Sequence, residues 1–157
     1  MIRIFSFSLI VNLGLFCTFG QCQDSTWIEV DPVIPLARQH HSLVYHEEMQ
    51  KVFLFGGYSL WIAGDNDTRT WAWDGETWSV LTKQAPRERW GHSMAYDSFR
   101  NRVVLFGGGG VSEDDTTEQL TDTWEFDGST WHRILTTQQP HTNAAMVFDK
   151  ARKMCVI

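Results

Sequence analysis

The sequence contains three blocks that decide the fold, Arg89-Trp-Gly-His-Ser-Met-Ala-Tyr96, Val103-Val-Leu-Phe-Gly-Gly108 and Thr123-Trp-Glu-Phe-Asp-Gly-Ser-Thr-Trp131. The same blocks occur about fifty residues earlier, as Arg38-Gln-His-His-Ser-Leu-Val-Tyr45, Val52-Phe-Leu-Phe-Gly-Gly57 and Thr70-Trp-Ala-Trp-Asp-Gly-Glu-Thr-Trp78. A third copy begins at His141 and runs to Ile157. So many matched positions indicate an internal structural repeat.

Each copy divides into four short strands, which we label a to d. Residues 93–96 alternate in polarity like a half-buried strand a, and residues 103–106 form the continuous apolar run of a strand b covered on both faces. Asp127-Gly128 is a hairpin signal between strands c and d. A four-stranded unit with two apolar faces cannot bury them alone, so we expect the copies to stack side by side.

The repeat resembles the Kelch repeat, in which four hydrophobic residues precede a double glycine and two spaced aromatics. The segment from Asp122 to Trp131 is similar to the form found in many bacterial propellers of this family. The resemblance covers residues 27–157 and implies an all-β, Kelch-type β-propeller. The third copy departs from it, with His141 in place of the arginine and Ala144 in place of the histidine.

The repeat predicts blade 1 at residues 38–82, blade 2 at 89–136 and a truncated blade 3 at 141–157. Residues 27–37 resemble a closing strand d with its linker. Propellers typically have four to eight blades, so we expect the remaining blades in a longer parent chain. The sequence would then be a truncated reading frame or an N-terminal part. Self-association to complete a ring is the alternative.

Residues 1–22 have the pattern of a signal peptide. Arg3 supplies the positive charge, a mainly apolar run follows, and Thr18 and Gly20 are small residues that place cleavage before Gln21. This predicts a secreted, periplasmic or cell-surface protein, with no membrane insertion after signal removal. An uncleaved membrane anchor and a lipid-attached Cys22 are the alternatives.

The charge and the cysteine content restrict the kinds of partner and the disulfide bonds that we expect. The net charge of −6 argues against nucleic acid or an anionic membrane surface as the main partner. The three cysteines, Cys17, Cys22 and Cys155, do not provide a disulfide framework. We expect Cys155 to be a small buried hydrophobe in a strand.

The most regular residues of the repeat are expected to be framework. His41 and His92 recur three residues after an arginine, so we expect them to hydrogen-bond strand a to neighbouring loops rather than to bind metal. The sequence contains no metal-ligand or catalytic motif, and we predict no cofactor. The predicted framework residues are Gly56, Gly57, Gly107, Gly108, His41, His92, Trp78 and Trp131.

Ligand contacts are predicted in the two irregular loops between strands b and c, because binding sites concentrate on loops over a rigid scaffold. Trp61 could stack on a sugar ring while neighbouring acids and amides bond its hydroxyls. Calcium binding and a merely solvated loop are the alternatives, and the acids lack regular calcium-ligand spacing. The candidate residues are Tyr58, Trp61, Asp65, Asp67, Glu113, Asp114 and Asp115.

These features together predict an exported, non-enzymatic binding module for a protein or a carbohydrate. Two alternatives remain open. The first is the N-terminal part of a Kelch-type propeller enzyme, resembling galactose oxidase-like copper proteins or sialic acid epimerases. The second is a purely structural scaffold.

Overall fold

The computed structural model describes residues 34–59, 67–82, 86–111, 116–136, 139 and 142–157. All regular structure in these ranges is β-strand, which confirms the predicted all-β class. Within these residues no helix has the length and apolarity needed to span a bilayer. The predicted signal peptide and most of the predicted closing strand, at residues 27–33, lie outside the described residues.

Blades 1 and 2 are four-stranded antiparallel sheets. The order in blade 1 is β1-β2-β3-β4, which follows the chain, and the order across blade 2 is β5-β6-β9-β10. The first sheet comprises β1 (Ser42–His46), β2 (Lys51–Phe55), β3 (Thr70–Trp73) and β4 (Trp78–Thr82). The second comprises β5 (Ser93–Asp97), β6 (Arg102–Phe106), β9 (Thr123–Phe126) and β10 (Trp131–Ile134). β11 (Val147–Asp149) and β12 (Met154–Val156) pair as strands a and b of the third copy.

The loop between strands b and c of blade 2 carries a hairpin that the sequence did not predict. β7 (Gly109–Val111) pairs with β8 (Thr117–Gln119), and Leu120 behind it is buried. The sequence predicts an irregular loop here. The hairpin is held by backbone pairing at glycines, which leaves little signal in the pattern of side chains.

The blades meet along their strands a. Gly91 N–H donates to the His40 carbonyl at 2.9 Å, and Asn143 N–H donates to the Gly91 carbonyl at 2.7 Å. Ser93 Oγ donates to the Ala144 carbonyl at 2.6 Å. His40, Gly91 and Asn143 occupy the same repeat position and all have positive φ, between 56° and 60°. A line of backbone hydrogen bonds therefore joins the three copies at their inner edge.

The main core lies between blades 1 and 2, as the stacking argument predicts. It also contains a specific polar contact, in which Trp131 Nε1 donates to Thr70 Oγ1 at 2.8 Å across the two blades. A second cluster, of Leu54, Trp71, Trp73 and Trp78, covers the other face of blade 1. The main core comprises Phe53, Phe55, Ala72, Met94, Val103, Leu105, Phe126 and Trp131.

Candidate functional site

An arginine–aspartate–tryptophan unit is built into each full blade. In blade 2, Arg89 donates two hydrogen bonds to Asp122, and Trp124 Nε1 donates to Asp122 Oδ2 at 2.7 Å. In blade 1, Arg38 and Trp71 contact Asp67 Oδ2 at 2.8 and 2.7 Å. Sequence reasoning missed this unit, because Asp67 stands four residues before its tryptophan and Asp122 stands only two before.

The prediction that Asp67 contacts a ligand is corrected by this arrangement. Its side chain is 1% exposed, and Arg69 also binds its Oδ1 at 2.6 Å. Burial opposes ionisation, but the hydrogen bonds from Arg69 and Trp71 outweigh it and lower the pKa of Asp67 to about 2. Both carboxylate oxygens are occupied by framework groups, so Asp67 has no free acceptor for a ligand.

His92 packs between the blades instead of making the hydrogen bonds expected of it. Its ring meets the Phe55 ring edge-on, with centroids 5.6 Å apart, and neither ring nitrogen has a partner of ordinary geometry among the described residues. The Phe55 backbone lies close enough to raise the pKa of His92, but this is the smallest of the influences on it. Burial and the charge of Arg89 lower the pKa of His92 to about 3, so the imidazole is neutral at physiological pH.

His41 lies in the corresponding place in blade 1 and is partly buried. Its Nδ1 is buried without a partner among the described residues. Burial and the neighbouring Arg38 lower the pKa of His41, as burial and Arg89 do for His92. At both equivalent positions the protein therefore favours the neutral form of the histidine.

The double glycines follow from the same packing. A Cβ on Gly57 would lie 2.6 Å from the Gln39 carbonyl oxygen, and one on Gly108 would lie 2.8 Å from the Trp90 carbonyl oxygen. Gly56 and Gly107 precede them and also have positive φ, 65° and 67°. These contacts seat strand a of each blade against the end of strand b, which is a framework position.

The exposed groups that converge lie at the inner edge, next to the line of hydrogen bonds between blades. The His40 and Tyr58 rings are stacked, with centroids 5.6 Å apart and planes 7° apart, and Tyr58 meets Trp90 nearly edge-on at 5.8 Å. His40 Nδ1 lies 3.2 Å from Asn143 Oδ1. We call these four residues the axial cluster. They come from all three copies of the repeat.

The comparisons with known proteins address the fold. A family model described as the KLHDC2/KLHL20/DRC7 Kelch-repeats domain matches residues 14–157. The chain belongs to the Kelch-repeat family. Among solved structures, the Kelch chain is similar to one titled "Structure of YjhT", with 13% identity and a TM-score of 0.61. The match covers 76% of this chain and 34% of YjhT, so the chain spans about a third of that protein.

These matches confirm the predicted Kelch-type propeller, here an incomplete one. No curated protein matches the Kelch chain in sequence. Kelch propellers are typically interaction modules, which is the coarse function that the family supports. The likeness to YjhT is one of fold alone.

Of the predicted ligand-contact residues of this Kelch chain, the structure places Tyr58 in the axial cluster. Five others lie outside the described residues, and their placement stays a prediction. Sequence reasoning missed Trp90. The sequence could have indicated it, because Trp90 stands at the repeat position that Gln39 occupies in the first copy. The five residues outside the described ranges are Trp61, Asp65, Glu113, Asp114 and Asp115.

The described residues contain no group of three or more His, Cys, Asp or Glu side chains arranged to hold a metal ion. Cys155 is a free thiol in β12, half-buried, and burial raises its pKa. It pairs with Phe148 across the β11–β12 hairpin.

The axial cluster is the candidate contact surface of this Kelch chain.

Proposed function

We propose that the protein is an interaction module that binds a segment of another protein at the axial cluster. The observation that carries the proposal is the joining of His40, Tyr58, Trp90 and Asn143 from three repeats into one partly exposed group. Tyrosine and tryptophan with polar tips are the residues that most often dominate binding energy at protein interfaces.

The ring geometry favours a peptide over a sugar at this place. A sugar needs an open aromatic face, and one face of Tyr58 is covered by His40, with Trp90 close to the same ring. The exposed members of the cluster are His40 and Asn143, which supply an imidazole and an amide beside the half-buried rings of Tyr58 and Trp90. Such groups suit the apolar side chains and backbone amides of a peptide segment.

The test uses the full chain against a displayed library of random short peptides and, in parallel, a glycan array. We expect enriched peptides whose affinity falls about tenfold or more in Tyr58→Ala and Trp90→Ala. Phe99→Ala is the matched control, because Phe99 is 63% exposed and lies in the β5–β6 turn. Glycan binding without peptide binding, or equal peptide binding by all variants, would overturn the proposal.

We propose that the module acts by binding and not by catalysis. The composition of the axial cluster supports this, because the cluster lacks a carboxylate or thiol that could act as acid, base or nucleophile beside the imidazole. Oxidation of galactose or epimerisation of sialic acid by the purified chain would contradict it.

Export remains a proposal of its own, and the support for it is the charge and apolar pattern of residues 1–22. We propose a secreted, periplasmic or cell-surface location. Mass spectrometry of the chain from its producing cells should find a mature N-terminus at Gln21. A cytosolic chain that retains Arg3 would refute the export signal.

A further inference from the structure

A polar cleft of about 370 Å³ lies beside the β7–β8 hairpin on blade 2. It falls within the size range of small-molecule sites, roughly 300–1,000 Å³. It shares no residue with the axial cluster, so it stands independently of the function proposed above. Its lining residues are Arg87, Glu118, Gln119, Leu120, Thr121, Asp122, Trp124 and Arg133.

The corresponding place in blade 1 is filled by the chain itself. There the Arg69 guanidinium lies over the Trp71 ring, 4.7 Å from its centroid, and Trp71 is only 5% exposed. When the two blades are aligned on Trp71 and Trp124, Asp122 stands at the position of Arg69. No guanidinium therefore covers Trp124 from that position. Trp124 is half-buried and lines the cleft.

Most charges around the cleft are already matched. Arg87 is paired with Glu118, and Asp122 is held by the fully buried Arg89. Arg133 is the exception: it is exposed, and no hydrogen bond or ion pair of its side chain occurs within the described part of the chain. Burial opposes ionisation of Asp122, but the hydrogen bonds from Arg89 and Trp124 lower its pKa, and the charge of Arg133 adds a smaller lowering.

Arg133 and Trp124 are also correctly placed to act together. They are directly opposite one another in the β9–β10 ladder, so their side chains leave the sheet on the same face. In blade 1 the residue opposite Trp71 is Val80, which carries no charge. An aromatic ring and a guanidinium without an ion-pair partner among the described residues therefore adjoin only in blade 2 of the two full blades.

We propose that this cleft binds a pyranose ring that carries a carboxylate, as in a uronic acid. The sugar ring stacks on Trp124, and its carboxylate accepts a forked pair of hydrogen bonds from Arg133. Gln119, Thr121 and the Arg87–Glu118 pair line the same cleft and can bond the ring hydroxyls. Recognition thus requires both the ring and the acid.

The test measures binding of methyl glucuronide, methyl glucoside and acetate to the full chain by saturation-transfer NMR and titration. We expect the glucuronide to bind best, and Arg133→Gln to weaken it about tenfold or more through loss of the charge-assisted bonds. Arg133→Lys should retain part of the affinity, because it keeps the charge without the fork. Arg152→Gln, an exposed arginine on the third copy, should bind like the wild type.

Unchanged urea midpoints of the Arg133 variants would show that loss of binding is not loss of folding. Equal binding of the glucoside would refute the role of the carboxylate, and equal binding of acetate would refute the role of the ring. Absence of glucuronide binding, or wild-type binding by Arg133→Gln, would overturn the proposal as a whole.

Discussion

Arg89 and Asp122 form a two-point ion pair inside blade 2, with Nη1 donating to Oδ1 at 2.7 Å and Nη2 donating to Oδ2 at 2.9 Å. Arg89 Nη1 also donates to the Gly107 carbonyl at 3.0 Å, and in blade 1 Arg38 Nη1 reaches the Gly56 carbonyl at 3.2 Å. Each full blade thus ties its double glycine to strand c through one arginine.

Asp122→Asn should destabilise the fold strongly. The Arg89 side chain is 0% exposed, so removing the opposing charge leaves a buried cation without compensation. Breaking a buried pair in this way costs about 3–5 kcal/mol. Urea unfolding followed by circular dichroism measures the change.

Glu47→Gln is the matched control for the ion pair, because Glu47 and Lys150 form a pair at the surface. We expect it to change the free energy of unfolding by about 0–1 kcal/mol. Equal effects of the two substitutions would contradict a structural role for the buried pair.

Gly56→Ala should destabilise the chain far more than Gly75→Ala. A Cβ on Gly56 would lie 2.6 Å from both the Arg89 carbonyl oxygen and His92 Cε1, whereas a Cβ on Gly75 meets nothing within 4 Å. Both glycines have positive φ, but 65° at Gly56 is easier for alanine than 105° at Gly75. Backbone strain alone would therefore make Gly75→Ala the worse variant, and a larger loss at Gly56 reports the clash at the blade interface. We expect that difference to be at least about 1–3 kcal/mol, the usual loss on overpacking. Similar urea midpoints would mean that the two blades do not pack as described.

Thr70→Val should cost about 1–3 kcal/mol, because it leaves the buried Trp131 indole N–H without its acceptor. Thr70→Ser restores an acceptor hydroxyl and should recover most of the loss. Chemical denaturation of the three proteins measures it. Wild-type stability of Thr70→Val would show that the hydrogen bond does not contribute.

His92 should make stability fall as the solution is acidified. Its pKa is about 3 in the fold, against 6.5 for an ordinary histidine, so between these limits the unfolded chain binds more protons. Stability is then complete above pH 6.5 and declines toward pH 3, at up to about 1.4 kcal/mol per pH unit. The lowered pKa values of His41 and His46 act in the same direction.

His92→Gln should therefore flatten the pH dependence of the unfolding free energy between pH 4.5 and 6.5. This window lies above the range in which Asp67 titrates, because a carboxyl with a pKa of about 2 loses its contribution only as pH falls below 3.8. Thr70→Ser, which changes no titratable group, is the control and should keep the wild-type slope. An unchanged slope in His92→Gln would contradict the neutral buried imidazole.

The regular part of the fold could be predicted because it depends on short-range patterns. The strand b runs, the hairpin turns at Asp74-Gly75 and Asp127-Gly128, and the double glycines are each read from a few adjacent residues. The place of Asp67 could not be predicted in this way. Counting from the tryptophans aligns Arg69 with Asp122, and only the folded chain shows that Asp67 is the residue that contacts Arg38 and Trp71.

The repeat of residues 38–78 in residues 89–131 determined the four-strand unit, the order of its strands and the stacking of its copies. Local periodicity and turn chemistry are sufficient for these. Only the tertiary structure decided that His92 is a neutral packing group, that Tyr58 and Trp90 meet at the inner edge, and that Trp124 lines a cleft where Trp71 is covered by Arg69. The physical reason is that these properties depend on which side chains meet across blades, and loops of unequal length break the relation between spacing in the sequence and position in space.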